Sequence, residues 1–253
     1  MTTMRKAEED DARGGMRGCG EARGGAPVTA PPVDGPGATG ALGPVALRAC
    51  AVDDALAIVH PDARCTLDHD GPFQLLVATV LSAQTTDARV NTVTPALFEA
   101  FPDAGALAAA DPGRLEALLR PLGMQRTRAE RLIGLGDGLA ERFDGVVPRS
   151  RKALVSLPGV GRKTANVVLG NAFGVPALTV DTHVGRLSRR LGWTASKDPV
   201  RVERDLAALW EPQRWTDGCH RLIAHGRAVC GARAPRCEEC VIAEAELCPQ
   251  VGV

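Results

Sequence analysis

Tyrosine is absent from this chain of 253 residues, and phenylalanine occurs only five times. So small an aromatic complement, set beside abundant alanine and leucine, disfavours strands and favours helices. The expected fold class is all-α. Also missing is any run approaching the roughly 20 uninterrupted apolar residues that a membrane helix needs, and the N-terminus lacks the apolar centre of a secretory signal. These absences predict a soluble, intracellular protein of the cytoplasm with no membrane partner. Excess charge is lacking too: 30 Lys and Arg face 30 Asp and Glu, for a formal net charge of 0. Composition therefore carries no basic footprint for nucleic acid, and a surface for a polyanion would have to come from segregated charge. Segregation is visible, since Arg126, Arg128, Arg131, Arg162, Arg186, Arg189 and Arg190 lie in or near the motifs below. Glu8, Glu9, Asp10 and Asp11 sit far from them.

What is present begins with eight cysteines. In a small secreted domain they would suggest disulfides, but four of them crowd near the C-terminus with no secretion signal, which fits metal ligation better. Cys230, Cys237, Cys240 and Cys248 are separated by six, two and seven residues. Four thiolates at such spacing suit either zinc or a cubane iron-sulfur cluster, and spacing alone does not choose. Cys19, Cys50, Cys65 and Cys219 show no such spacing and read as ordinary thiols.

Residues 1–45 are dominated by glycine, proline, alanine and scattered charge, and are predicted to form a disordered tail. Order should begin near Ala46, with helical spacing that runs to Pro61. Helices are then predicted over Phe73–Ala83, Asp87–Phe101, Pro112–Leu119, Arg128–Phe143, Arg151–Ser156 and Arg162–Phe173. A second group follows over Thr182–Leu191, Pro199–Leu209 and Trp215–Val229. Asp111 reads as an N-cap before Pro112, and Thr127 with Glu130 as a capping box. Pro95 should kink or split its helix, and Gly134, Gly136 and Gly138 should weaken theirs. Connections are short, as for packed antiparallel neighbours.

The most informative stretch is Leu157-Pro158-Gly159-Val160-Gly161-Arg162-Lys163-Thr164-Ala165. Pro158 ends one helix and the glycines permit a tight turn. The N–H groups of that turn and of the next helix's first residues are left unpaired, which makes a phosphate site. Val160 can plug the turn against the core. A nucleotide-binding P-loop is excluded because it needs glycine immediately before the lysine, where Arg162 stands, and a preceding strand. Taken singly, Lys163 reads as a surface lysine and Asp181 as the N-cap of the helix from Thr182.

As a whole, the segment is a helix-hairpin-helix motif, and its Leu-Pro-Gly-Val-Gly-Arg-Lys-Thr-Ala-Asn version resembles the endonuclease III family of base-excision enzymes. The resemblance runs from about Ala46 to the C-terminus. Leu81-Ser82-Ala83-Gln84-Thr85-Thr86-Asp87, Val180-Asp181-Thr182-His183 and the terminal cysteines all fall in the family's order.

That resemblance implies a bifunctional DNA glycosylase and abasic-site lyase that excises oxidised pyrimidines, acting as a monomer on double-stranded DNA with damaged bases or abasic sites. It implies Lys163 as nucleophile and Asp181 as its carboxylate partner. An ammonium is no nucleophile, and a helix N-terminus disfavours the charged form of a lysine. It further implies that Gln84 fills the gap left by a flipped base, and that Gly159, Val160, Gly161, Arg162, His183, Arg233 and Arg236 face DNA. Cys230, Cys237, Cys240 and Cys248 would hold a [4Fe-4S] cluster, although seven residues separate the last two ligands where the family pattern has five. Enzymes of the superfamily that remove mismatched bases carry serine or tyrosine at the lysine position, and the chain ends too soon after the cysteines for the extra domain of adenine glycosylases. The alternatives are a monofunctional glycosylase of other base preference and a noncatalytic DNA-binding module holding zinc. Two helical lobes are implied: residues 65–175 with the hairpin, and residues 46–64 joined to 176–253 with the cysteines.

Overall fold

A computed structural model describes residues 43–253; the predicted tail and its acidic cluster lie outside the described residues but for its last three positions. Twelve α-helices and two short 3-10 turns make up the described chain, with no strand among them. In order they are α1 (Pro44–Val59), α2 (Pro72–Leu81), α3 (Asp87–Ala100), α4 (Ala104–Ala108), α5 (Pro112–Leu119), α6 (Gln125–Phe143), α7 (Arg151–Val155), α8 (Arg162–Phe173), α9 (Thr182–Arg190), α10 (Pro199–Ala207), α11 (Pro212–Ala228) and α12 (Val241–Glu244). None is long and apolar enough to cross a membrane.

Helix starts follow their capping chemistry. Thr86, Asp103, Asp111, Ser150, Asp181 and Asp198 each accept a backbone N–H of the first turn they precede, satisfying donors that otherwise have no partner. The capping box at Thr127 does not form. Gly123 takes a φ of +71° and supplies the turn, so α6 begins two residues ahead of Thr127, after a left-handed Met124. Nor does Pro95 split its helix: α3 runs unbroken through it, with the ring exposed. The five-residue α4, capped by Asp103, was not expected.

Side chains bury into two cores. One joins α2 to α8 through Leu75, Leu76, Leu115, Leu132, Leu139, Leu154 and Val168. The other joins α1 to α9–α12 through Val52, Leu56, Leu187, Val202, Leu206, Trp210 and Leu222. Each buried leucine contributes on the order of 1.5–3 kcal/mol. Two of the three glycines of α6, Gly136 and Gly138, serve close approach. At Gly136 a Cβ would lie 2.6 Å from the Ala108 nitrogen and 2.8 Å from the Ala104 carbonyl oxygen, so α4 reaches α6 only because no side chain stands there.

Candidate active site

The hairpin forms between the α7 end at Val155 and the α8 start at Arg162. Gly159 has a φ of +76°, and the Val160 N–H closes the turn on the Leu157 carbonyl at 3.2 Å. Val160 is buried in the first core and plugs the turn as expected. Gly161 is the N-cap of α8 in extended conformation, with no side chain capping the helix and nothing within 4 Å of where its Cβ would be. The first N–H groups of α8 therefore face open space, the arrangement suited to a phosphate oxygen.

Lys163 projects from the first turn of α8 and is exposed. Asp181 caps α9, its Oδ1 accepting the Val184 N–H at 2.8 Å. Neither lines the cavity of about 550 Å³ whose walls include His60, Cys65, Thr66, His220 and Arg227, but each acts electrostatically on a residue of that wall. Burial pushes the Cys65 thiol up, with the charge of Lys163 acting the other way. Burial pushes the His220 imidazole down, and Asp181 is among the carboxylates opposing it. Asp87 stands beside this cavity, accepting Thr66 Oγ1 at 2.5 Å and Arg227 Nη2 at 3.4 Å. The volume is of the size that takes a small ligand.

Arg162 does not point freely to solvent. Its Nε and Nη2 donate to Glu203 of α10 at 2.6 and 2.9 Å, and the same carboxylate accepts Arg151 Nη1 at 2.9 Å and Asn166 Nδ2 at 3.3 Å. Sequence reading missed Glu203. Its neighbours Val202 and Leu206 mark a buried stripe, but nothing local says that a carboxylate beside that stripe meets an arginine 41 positions away. A smaller cavity of about 120 Å³ is lined by Arg162, Lys163, Asn166, Val180 and Glu203 among others.

Gln84 sits exposed at the tip of the turn after α2 with a φ of +61°. The His183 imidazole Nδ1 lies 3.1 Å from Arg186 Nη2, which also donates to the carbonyls of Gly226 and Cys230 at 2.9 Å. Arg233 is exposed; Arg236 donates to the Ala228 carbonyl and pairs with Glu239 at 3.2 Å.

Cys230, Cys240 and Cys248 pack against the second core, and all four terminal cysteines are free thiols. Burial raises the Cys248 thiol, and Cys240, Cys230 and Cys237 raise it further, which places the four sulfurs in one electrostatic neighbourhood. Among the described residues no three Cys, His or carboxylate side chains converge on a point suited to a single ion. Donors already surround the sulfurs: Arg190 Nη1 lies 3.1 Å from Cys230 Sγ, and His225 Nε2 lies 3.4 Å from Cys240 Sγ. Arg190 is 8% exposed and, among the described residues, has no carboxylate partner. A buried cation bonded to carbonyls and a sulfur is the environment an anionic thiolate group calls for. The seven-residue spacing is taken up by α12 and a left-handed Glu246, which bring Leu247 and Cys248 back to the core.

An open-tipped hairpin, a lysine in the first turn of the helix beyond it and an aspartate capping the following helix define a class. Residues 77–212 match the model of the HhH-GPD superfamily of base excision DNA repair proteins. The chain belongs to that superfamily and, within it, to the endonuclease III family. It is 53% identical over 192 residues to endonuclease III of Synechocystis sp., covering 76% of this chain and 87% of the relative. Two solved structures superpose with a TM-score of 0.76 at 43% identity over 81% of this chain: a non-covalent endonuclease III–DNA complex and a trapped endonuclease III–DNA covalent intermediate, covered to 95% and 96%.

Proposed function

We propose that this protein excises oxidised pyrimidines from duplex DNA and cleaves the strand at the resulting abasic site, in base excision repair. The observation that carries this reading is Lys163, exposed in the first turn of the helix beyond the open hairpin, together with Asp181 at the start of α9. The covalent endonuclease III–DNA intermediate among its structural neighbours supports it. The two cores are read as two lobes, residues 65–175 and residues 46–64 with 176–253, and DNA as lying across the cleft between them.

In this reading the Lys163 amine attacks the anomeric carbon of the sugar as the bond to the damaged base breaks, and the base leaves with the electron pair and takes up a proton. Asp181 stabilises positive charge on the sugar and accepts the proton that the amine sheds. Loss of the ring oxygen bond then yields an imine between Lys163 and the sugar. The imine acidifies the adjacent C–H, whose proton is removed as the 3′ phosphate departs by β-elimination. Gln84 fills the gap left by the flipped nucleotide. The unpaired N–H groups at Gly161–Lys163 hold a backbone phosphate. Cys230, Cys237, Cys240 and Cys248 would hold a [4Fe-4S] cluster, which when bound ties the C-terminal loop into one piece and sets Arg233 and Arg236 toward the phosphates.

Borohydride trapping on a duplex with one thymine glycol or one abasic site tests the reading. The intact protein should form a covalent adduct that Lys163→Ala abolishes while still binding the DNA. Base release without any adduct would instead support a monofunctional glycosylase, and binding without either would leave a DNA-binding module.

A further inference from the structure

Arg128 is 4% exposed, yet among the described residues no carboxylate pairs with it. Its guanidinium donates instead to three backbone carbonyls. Nε reaches Gly123 at 3.0 Å, Nη2 reaches Ala83 at 2.8 Å, and Nη1 reaches Leu81. Leu81 and Ala83 are the last carbonyls of α2 and its following turn, which have no partner within the helix and favour a cation. Gly123 precedes the first turn of α6. One buried cation therefore joins the end of α2 to the start of α6.

Immediately beyond each joined segment stands an exposed residue in the left-handed region, Gln84 with φ of +61° and Met124 with φ of +46°. L side chains avoid that region, and a non-glycine residue stays there only where its surroundings hold it. Gln84 has no hydrogen bond to hold it among the described side-chain contacts, and the adjacent Thr85 hydroxyl is buried without a partner. The turn is closed by the Thr85 N–H on the Ser82 carbonyl at 3.2 Å, and the bonds of Arg128 to the carbonyls of Leu81 and Ala83 anchor it from the N-terminal side of Gln84. Burial lowers the pKa of this guanidinium, but an arginine stays charged throughout the physiological range.

We infer that Arg128 is a positioning residue for base extrusion: it holds the Gln84 turn in the conformation that enters the duplex, without touching DNA or the reacting atoms. This rests on the reading of Gln84 above. It separates two steps of the reaction. Filling the gap in a stacked duplex needs a rigid Gln84 turn, whereas imine formation on a single-stranded abasic site does not, because no base has to be extruded.

The experiment uses the full chain with Arg128→Met, which keeps length and loses the donors, and Arg128→Lys, which keeps the charge and a smaller set of bonds. A duplex carries thymine glycol beside 2-aminopurine, whose fluorescence rises when its neighbour unstacks. In parallel, borohydride trapping is measured on a single-stranded abasic oligonucleotide. Arg128→Met should lose most of the fluorescence rise and slow duplex excision by about tenfold or more, while single-strand trapping stays within about twofold. Arg128→Lys should fall between. An unchanged fluorescence rise in Arg128→Met overturns the proposal, as does an equal loss on duplex and single strand. If Arg128→Met does not fold, a cycle of Arg128→Lys with Gln84→Ala decides. Non-additive losses on duplex support action through Gln84, and additive ones refute it. Failure of the lyase reading would appear separately, as absence of Lys163-dependent trapping in the unsubstituted protein.

Discussion

Glu203 grips Arg162, the residue immediately before Lys163, through two bonds of 2.6 and 2.9 Å. Because Glu203 belongs to α10 in the second core and Arg162 to α8 in the first, this pair spans the two cores beside the proposed nucleophile. Arg151, on the other arm of the hairpin, shares the same carboxylate. Both guanidiniums are more than 40% exposed, so solvent screens much of the attraction. Glu203→Ala should therefore cost only about 1–3 kcal/mol of stability. The loss of rate should be larger than that stability change implies, because the first turn of α8 loses its tether. Urea unfolding and single-turnover cleavage of an abasic duplex read the two effects; unchanged cleavage would remove Glu203 from any part in placing Lys163.

Asp181 caps α9 and, in the proposed mechanism, is also the catalytic carboxylate, and a substitution can separate the two. As a cap it accepts the Val184 N–H, and asparagine caps a helix about as well as aspartate. As a catalytic group it needs negative charge, which asparagine lacks. Asp181→Asn should leave stability within roughly 0.5 kcal/mol yet slow base release by about two orders of magnitude or more. Thermal unfolding alongside excision of thymine glycol makes the comparison. Loss of stability with normal excision would return Asp181 to a purely structural role.

The difference between these two residues shows what was legible in the sequence. Asp181 was legible as a cap from its place before a helix, while its proposed catalytic part comes only through the family resemblance of the Val-Asp-Thr-His run. Lys163 was visible only through the nine-residue hairpin, since a lone lysine says nothing. The bounds of α5 and α8 were read to the residue because Asp111, Pro112 and Gly174 punctuate them locally. The start of α6 was missed because Gly123 and Arg128 set it by a turn and a long-range bond rather than by a cap. Glu203 was missed, and Arg128 was counted among surface arginines although it is buried, for one reason: each meets partners some 40 positions away, and local pattern carries no information about such pairs.

Two glycines one half-turn apart in α6 should respond with opposite signs. A methyl group at Gly136 would sit against backbone atoms of α4, which cannot move aside cheaply. That strain, typically about 1–3 kcal/mol or more, outweighs the ~1 kcal/mol helix propensity that alanine adds. At Gly134 a Cβ would meet only Pro158, at 3.6 Å, an ordinary contact. Gly136→Ala should lower the melting temperature and Gly134→Ala should hold or raise it. Equal shifts would show that α4 does not approach α6 as closely as described.

The cysteine assignment can be tested by colour and by iron content. Cys248→Ala removes the ligand whose spacing departs from the family pattern, and should diminish visible absorbance and bound iron and sulfide together. Cys219→Ala is the control. Burial pushes that thiol up to about 12 and it belongs to the second core, so the change should cost stability but no iron. Full iron content in Cys248→Ala would assign the fourth ligand elsewhere.

Acid should weaken the fold through His220. Burial lowers its pKa from the ordinary value of 6.5, and its Nε2 lies 2.8 Å from Asn171 Oδ1, a bond the neutral ring makes by donating. Above the unfolded value both states are neutral and the group adds no pH dependence. Below it the unfolded chain binds a proton that the folded chain refuses, so stability falls with pH until the lowered folded value is passed. Urea midpoints taken between about pH 7.5 and 5 should therefore decline. His220→Gln should flatten part of that decline without abolishing it, because His60 is displaced in the same direction. A decline of unchanged slope in His220→Gln would mean that the imidazole is as free to protonate in the folded protein as in the unfolded one, and that its burial does not hold it neutral.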